Sequence, residues 1–157
     1  METPNAIDAY FSSYPKFNYD RNIAAWEEYH RMVQFFRWER DEKREKIARR
    51  CFRVAIVKHF GELYGTDENS LDSLQRLSAM LDIGHVPQTV KSCKEAIEKA
   101  HVNIMDFIDS GRTGHPVPKF ESVNKLRRYT IKTGKIFPKK EAKKSSLLRY
   151  LLRKIFV

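Results

Sequence analysis

The sequence contains few of the residues that build turn-rich or disulfide-bonded domains. Six glycines, six prolines and two cysteines are spread over 157 residues. Most of the glycines and prolines lie between segments of helical periodicity, which favours helices over a β architecture with many turns. Cys51 and Cys93 each lie within an apolar helical pattern. We therefore predict that both thiols are reduced and belong to the core of an intracellular protein.

A secretion signal and long hydrophobic runs are also missing. The first residues, Met1 to Pro4, do not begin the basic and apolar regions of a signal peptide. The longest apolar stretches fall far short of the roughly 20 residues that cross a membrane as a helix. These absences predict an intracellular protein without a membrane span.

Signatures of the common catalytic and metal-binding sites are absent from the sequence. It contains no P-loop, no paired-glycine dinucleotide motif, no G-x-S-x-G and no H-E-x-x-H. The five histidines and two cysteines never occur at the spacing of zinc ligands. We expect a non-catalytic protein without a cofactor or metal, although a catalytic site assembled from scattered residues leaves no such motif.

Helical periodicity dominates the chain, and it predicts an all-α fold. We expect one irregular domain of about six or seven helices over residues 1–157, with a basic C-terminal helical segment. The periodic segments lie at about residues 4–13, 20–38, 41–64, 71–81, 88–109, 122–134 and after Pro138. Thr3 is the expected N-cap of the first helix. The third segment has the widest apolar face, so we expect it to be central.

Residues 110–118 are the clearest loop of the chain, with two glycines and two prolines in nine residues. We expect this loop to lead into a basic C-terminal subregion, residues 119–157.

Residues 77–90, earlier in the chain, partly match a helix-turn-helix. An ordinary pair of packed helices is the preferred interpretation, because the lysines of the second helix are offset by glutamates.

Five short strings between residues 64 and 153 resemble another group of proteins. They are Tyr64-Gly-Thr-Asp67, Val86-Pro87, His101-Val-Asn103, Thr133-Gly-Lys-Ile-Phe-Pro138 and Leu147-Leu-Arg-Tyr-Leu-Leu-Arg153. With these strings the chain resembles a group of small, uncharacterised fungal proteins. The resemblance implies a single unit that continues through the last helix, and it implies no activity.

The positive charge of the chain is concentrated in its last third. Residues 1–69 carry no net charge, residues 70–111 carry −2 and residues 112–157 carry +12. Lysine and arginine neutralise phosphates and release counterions, which supplies the sequence-independent part of nucleic-acid binding. The candidate binding residues are Arg112, Lys119, Lys125, Arg127, Arg128, Lys132, Lys135, Lys139, Lys140, Lys143 and Lys144. Tyr129 and Phe137 are candidates for base stacking.

The same charge pattern leaves three functions open. We prefer binding of DNA or RNA by a protein of the nucleus or nucleocytoplasm. The alternative is an adaptor whose basic face docks an acidic protein, or whose aromatic N-terminal helices bind a partner helix. A third interpretation is attachment to an anionic membrane by the amphipathic last helix. We expect Leu147, Leu148, Leu151 and Leu152 of that helix to pack on the core instead.

Overall fold

The computed structural model describes residues 4–81, 84–137 and 139–155, and the side chains of 4–81, 84–137 and 139–152. Within these ranges the chain forms nine α-helices and no β-strand, which confirms the all-α prediction. The helices are α1 (Ala6–Ser12), α2 (Ala25–Phe36), α3 (Lys43–Tyr64), α4 (Leu71–Met80), α5 (Val90–Glu98), α6 (Ile104–Thr113), α7 (Val123–Thr133), α8 (Lys139–Ala142) and α9 (Ser146–Ile155).

The helix count exceeds the predicted six or seven because two predicted helices are each divided. The segment 88–109 holds α5 and α6, since the Asn103 side chain accepts the backbone N–H of Asp106 at 3.2 Å and starts a new helix. The segment after Pro138 holds α8 and α9. There the Ser145 hydroxyl accepts the backbone N–H of Leu148 at 3.1 Å. Capping side chains of this kind satisfy N–H groups that have no partner within the helix.

Three other predicted boundaries also shift. The expected N-cap Thr3 lies outside the described residues, and Asn5 caps α1 by accepting the N–H of Asp8 at 2.8 Å. Helix α2 begins at Ala25, five residues later than expected. The loop predicted at residues 110–118 begins only at Gly114, because α6 continues to Thr113. Gly114 then ends the helix with a left-handed φ of 79°.

Helix α3 is central, as its apolar face predicts. It contacts α1, α4 and α8, and its side chains Ile56 and Phe60 are fully buried. Cys93 is buried as expected, but Cys51 is exposed, so the prediction of two core thiols is wrong for Cys51. The neighbouring Phe52 faces the core, and one residue along a helix turns the side chain by about 100°.

The last helix belongs to the core. Leu147, Leu148 and Leu152 of α9 are at most 4% exposed. The backbone N–H of Leu147 donates to the carbonyl of Thr66, just after α3, at 3.0 Å. Tyr150 reaches α5, where its hydroxyl donates to the Glu98 carboxylate at 2.6 Å. The leucines that a membrane-bound α9 would insert are therefore packed inside the protein.

Helices α4 and α5 pack against each other, as both interpretations of residues 77–90 require. The ammonium of Lys94 on α5 lies 4.9 Å from the ring centroid of Tyr150 on α9. This lysine is thus turned towards the neighbouring helix, whereas a helix that reads a DNA groove presents its cations outward.

Candidate functional site

Six of the eleven predicted binding residues are exposed on α7, on α8 and directly after α8. We call this set the basic face. Its members are Arg128, Lys132, Lys139, Lys140, Lys143 and Lys144. Leu126 of α7 and Ala142 of α8 are buried in the core, so both helices that carry the cations are attached to it.

Three other candidates lie near the basic face without being part of it. Lys125 is exposed, and its ammonium pairs with the Glu121 carboxylate one helical turn away at 2.5 Å. Lys119 is exposed in the loop before α7, and Arg127 is half-buried on α7. An exposed ion pair of this kind contributes little to stability, so Lys125 remains able to exchange its partner for a phosphate.

Arg112 is not a surface residue, and its assignment to the binding surface is wrong. Its side chain is 6% exposed. The guanidinium donates to the hydroxyl of Tyr19 at 2.9 Å and to the carbonyl of Ile23 at 3.1 Å. These bonds join α6 to the segment between α1 and α2, which makes Arg112 a structural residue.

Lys135 is also committed to the fold. Its ammonium donates to the Asp106 carboxylate at 2.8 Å and to the Tyr129 hydroxyl at 3.1 Å, and that hydroxyl donates to Asp106 at 2.6 Å. Partial burial lowers the pKa of Lys135, but the bonds to Asp106 and Tyr129 outweigh it and raise the pKa overall. This network fixes the end of α7 against the start of α6.

The two residues predicted to stack on bases also make contacts within the protein. Phe137 is 2% exposed and belongs to the core. Tyr129 is half-buried, its hydroxyl is bonded to Asp106, and its ring lies 4.7 Å from that of Phe120. Aromatic contacts to a ligand therefore have to come from another part of the surface.

The structure adds two arginines of α3 to the candidate binding surface, although residues 1–69 carry no net charge. Helix α3 contacts α8 and carries Arg49 and Arg53, which share a face because they are four residues apart. The acidic residues that balance them in the sequence lie inside: Glu28 is 0% exposed and Glu45 is 4% exposed. The surface of this region is thus more basic than its composition. The i,i+4 spacing of the two arginines was the available signal in the sequence.

A groove of about 540 Å³ lies between α2, α3 and the segment that follows α7. Buried Tyr29 and Phe52 form its floor, with stacked rings 4.7 Å apart. The other lining residues include aromatic rings, three arginines and an isoleucine, namely Trp26, His30, Trp38, Arg40, Arg49, Arg53 and Ile136. The residue at the α7 end is Gly134, where an added Cβ would lie 3.8 Å from the Trp26 ring.

The groove is positively charged because three arginines and one carboxylate, Glu45, line it. Glu45 accepts the Tyr29 hydroxyl at 2.5 Å and the backbone N–H of Asp41 at 3.0 Å. Arg49 is held by Asp41 at 2.7 Å and by Glu45 at 3.6 Å. Arg40 and Arg53 are exposed, and no ion pair joins either of them to a carboxylate within the described ranges.

His30 contributes a neutral ring to this groove. Partial burial lowers the pKa of His30 below its ordinary value, and the positive charge of Arg40 lowers it further. The imidazole is therefore uncharged at neutral pH. Its ring lies 4.5 Å from that of Trp26 in an edge-to-face arrangement.

No protein-family model, curated protein or solved structure matches the chain. The resemblance to small fungal proteins therefore stays a prediction. Among the described residues, no helix is long and apolar enough to cross a membrane. In the same part of the chain, no three His, Cys, Asp or Glu side chains converge as metal ligands would.

Proposed function

We propose that the protein is a non-catalytic module that binds nucleic acid through the basic face. The supporting observation is the set of six exposed cations on α7, on α8 and directly after α8. A polyanion that contacts such a set releases its condensed counterions, which drives binding without any base contact. Phosphate contacts position a nucleic acid but do not specify its sequence. This face alone therefore predicts affinity without a base preference.

A nuclear or nucleocytoplasmic location is part of the proposal. The pairs Lys139–Lys140 and Lys143–Lys144 form a short basic cluster that also fits an import signal. The two roles share the same residues, so a change of location in a variant does not report on nucleic-acid binding. Binding is therefore tested on the purified chain.

An acidic protein partner is the second candidate. It is favoured by Ile131 and Ile136, which are 68% and 57% exposed next to the cations. Protein interfaces place apolar side chains inside a polar and charged rim. Nucleic-acid backbones offer no apolar pocket for an isoleucine. If the Ile131→Ser variant binds the chain's partner more weakly than the unmodified chain does, that result would favour an acidic protein over a nucleic acid as the partner.

The test is fluorescence anisotropy of labelled DNA and RNA oligonucleotides with the purified chain, from low salt to physiological salt. The variant replaces the members of the basic face other than Lys139 with glutamine. We expect it to lose binding at physiological salt. The slope of log affinity against log salt should fall by up to about 4, since each lost phosphate contact lowers it by about 0.7–0.9.

A control variant removes the same charge from other helices and loops. It replaces Lys16, Lys43, Lys46, Lys91 and Lys99, which are all exposed, with glutamine. An equal loss of affinity in both variants would show a general effect of net charge and contradict the basic face. No binding by the unmodified chain at physiological salt would remove the nucleic-acid function and leave the acidic partner.

A further inference from the structure

The groove between α2 and α3 leaves part of two tryptophans and two arginines accessible to a ligand. Trp26 and Trp38 line it and are only half-buried. Arg40 and Arg53 line it and are exposed. Aliphatic side chains line the groove too, Ile56 among them. Here aromatic faces and cations border the same space.

The size of the groove suits a small planar group. Its volume of about 540 Å³ falls within the range of roughly 300–1,000 Å³ that is typical of sites for small organic molecules. A nucleobase presents a π-face to aromatic rings, and the phosphate of the same nucleotide is available to a guanidinium. In a duplex the bases are stacked on their neighbours, so only an unpaired base is free to enter.

We propose that this groove holds an unpaired nucleotide, with its base against Trp26 or Trp38 and its phosphate on Arg40 or Arg53. The protein would then prefer single-stranded over duplex nucleic acid. This inference rests on the proposed nucleic-acid function and assigns a specific site to it. The groove lining includes Thr133 at the end of α7, next in the chain to Lys132, so the phosphates that flank the bound nucleotide can continue onto that part of the basic face.

The geometry supports a pre-formed site. Trp38 is stacked on Phe36 with ring centroids 4.8 Å apart, and Trp26 lies 4.5 Å from the ring of His30. Both indoles are therefore held in place before a ligand arrives. Pre-organised aromatic side chains lose little conformational entropy on binding. Arg49 is fixed by Asp41 and Glu45, which leaves the two exposed arginines to meet the ligand.

The chain carries a built-in reporter of this groove. It contains two tryptophans, and both line the groove. A base that stacks near them should quench tryptophan fluorescence, whereas phosphates bound only on the basic face should not. We would titrate the full chain with a short single-stranded oligothymidylate or oligouridylate. A hairpin duplex and an abasic oligonucleotide of equal charge are the comparison ligands.

We expect the base-containing single strands to quench tryptophan fluorescence, and the duplex and the abasic oligonucleotide to leave it unchanged. Anisotropy records the binding of all these ligands. The Arg40→Gln, Arg53→Gln double variant should bind the single strands about tenfold more weakly. Its salt slope should fall by about 0.7 for one lost phosphate contact, or about 1.4 if both arginines contact phosphates, and its duplex affinity should change less than about twofold. The matched control is Arg37→Gln with Arg50→Gln, two exposed arginines outside the groove lining that should leave single-strand affinity unchanged.

Each unfavourable result points to a different error. If anisotropy shows no binding of any oligonucleotide, the proposed function itself fails. If duplex, abasic and single-stranded ligands bind equally and none quenches, nucleic-acid binding stands and the groove assignment is overturned. If polyglutamate of equal charge binds as tightly as the single strands and changes the tryptophan fluorescence as much, the groove takes an acidic peptide and the base is not recognised.

Discussion

At the residue scale, the first turn of α2 takes its cap from another helix. Ala24 precedes α2 and provides no capping side chain. Instead, Asp109 of α6 accepts the backbone N–H of Ala25 at 2.7 Å. Burial raises the pKa of Asp109 to about 6, although the N–H groups of Ala25 and Trp26 and the charge of Arg112 oppose the shift. The carboxylate is thus ionised at neutral pH at a cost in solvation.

This raised pKa predicts a pH-dependent stability. The folded state binds a proton at Asp109 more tightly than the unfolded chain between about pH 4 and pH 6. The contribution of Asp109 to the free energy of unfolding therefore falls as pH rises through this interval, by as much as about 2–3 kcal/mol. Asp109→Asn should remove this part of the pH dependence in urea unfolding curves. Asp72→Asn, at a carboxylate that is 81% exposed, is the control that should keep it. An unchanged pH profile in Asp109→Asn would contradict the assignment.

At the scale of elements, Asn103 connects three parts of the chain. It is fully buried and caps α6. Its amide group also donates to the hydroxyl of Thr130 on α7 at 3.1 Å and to the carbonyl of Lys135 at 2.9 Å. One side chain thus starts α6 and attaches the end of α7 to it. The position of the basic face relative to the core depends on this attachment.

Two N-cap substitutions separate these roles. Thr89 also caps a helix, α5, but it is exposed and its bonds stay within its own capping box with Ser92. Thr89→Ala should cost about 1 kcal/mol of unfolding free energy, the usual value for a lost cap. Asn103→Ala should cost about 2–4 kcal/mol, since it also removes the partner of the buried Thr130 hydroxyl and of the partly buried Lys135 carbonyl. Equal losses in denaturant titrations would show that the bonds to α7 contribute nothing.

The elements were more predictable from the sequence than the site. Apolar residues at three- and four-residue steps identify α3 and its central place, because one buried stripe imposes that period on a helix. Burial of single side chains is set by neighbours distant in the chain. For this reason Arg112 and Lys135 were assigned to the surface. The groove was missed for a related reason: Arg53 lies in a segment of zero net charge, and Trp26 follows a pattern typical of core residues.

At the scale of the whole molecule, α9 contributes to the core shared by the earlier helices. Leu147 and Leu148 are 0% exposed, and each buried leucine typically contributes about 2–5 kcal/mol when truncated to alanine. The loss of unfolding free energy on removing residues 145–157 should therefore exceed a typical domain stability of about 5–15 kcal/mol. We expect the shortened chain to lose its cooperative thermal transition in circular dichroism. Arg149→Ala, at an exposed position of α9, is the control that should melt like the full chain. A shortened chain with the same melting temperature would show that α9 does not contribute to the stability of the core.

The bond between Leu147 and Thr66 also has a consequence for biosynthesis. It joins residues that the ribosome makes 81 codons apart, so α3, α4 and α5 leave the exit tunnel before their cover exists. Part of their apolar surface therefore stays uncovered until α9 emerges, and chaperones act on exposed apolar surface of this kind. A premature stop codon near the position of Ser146 would release a polypeptide with this core uncovered. Such a product would be degraded as a misfolded chain instead of persisting as a shortened but active protein.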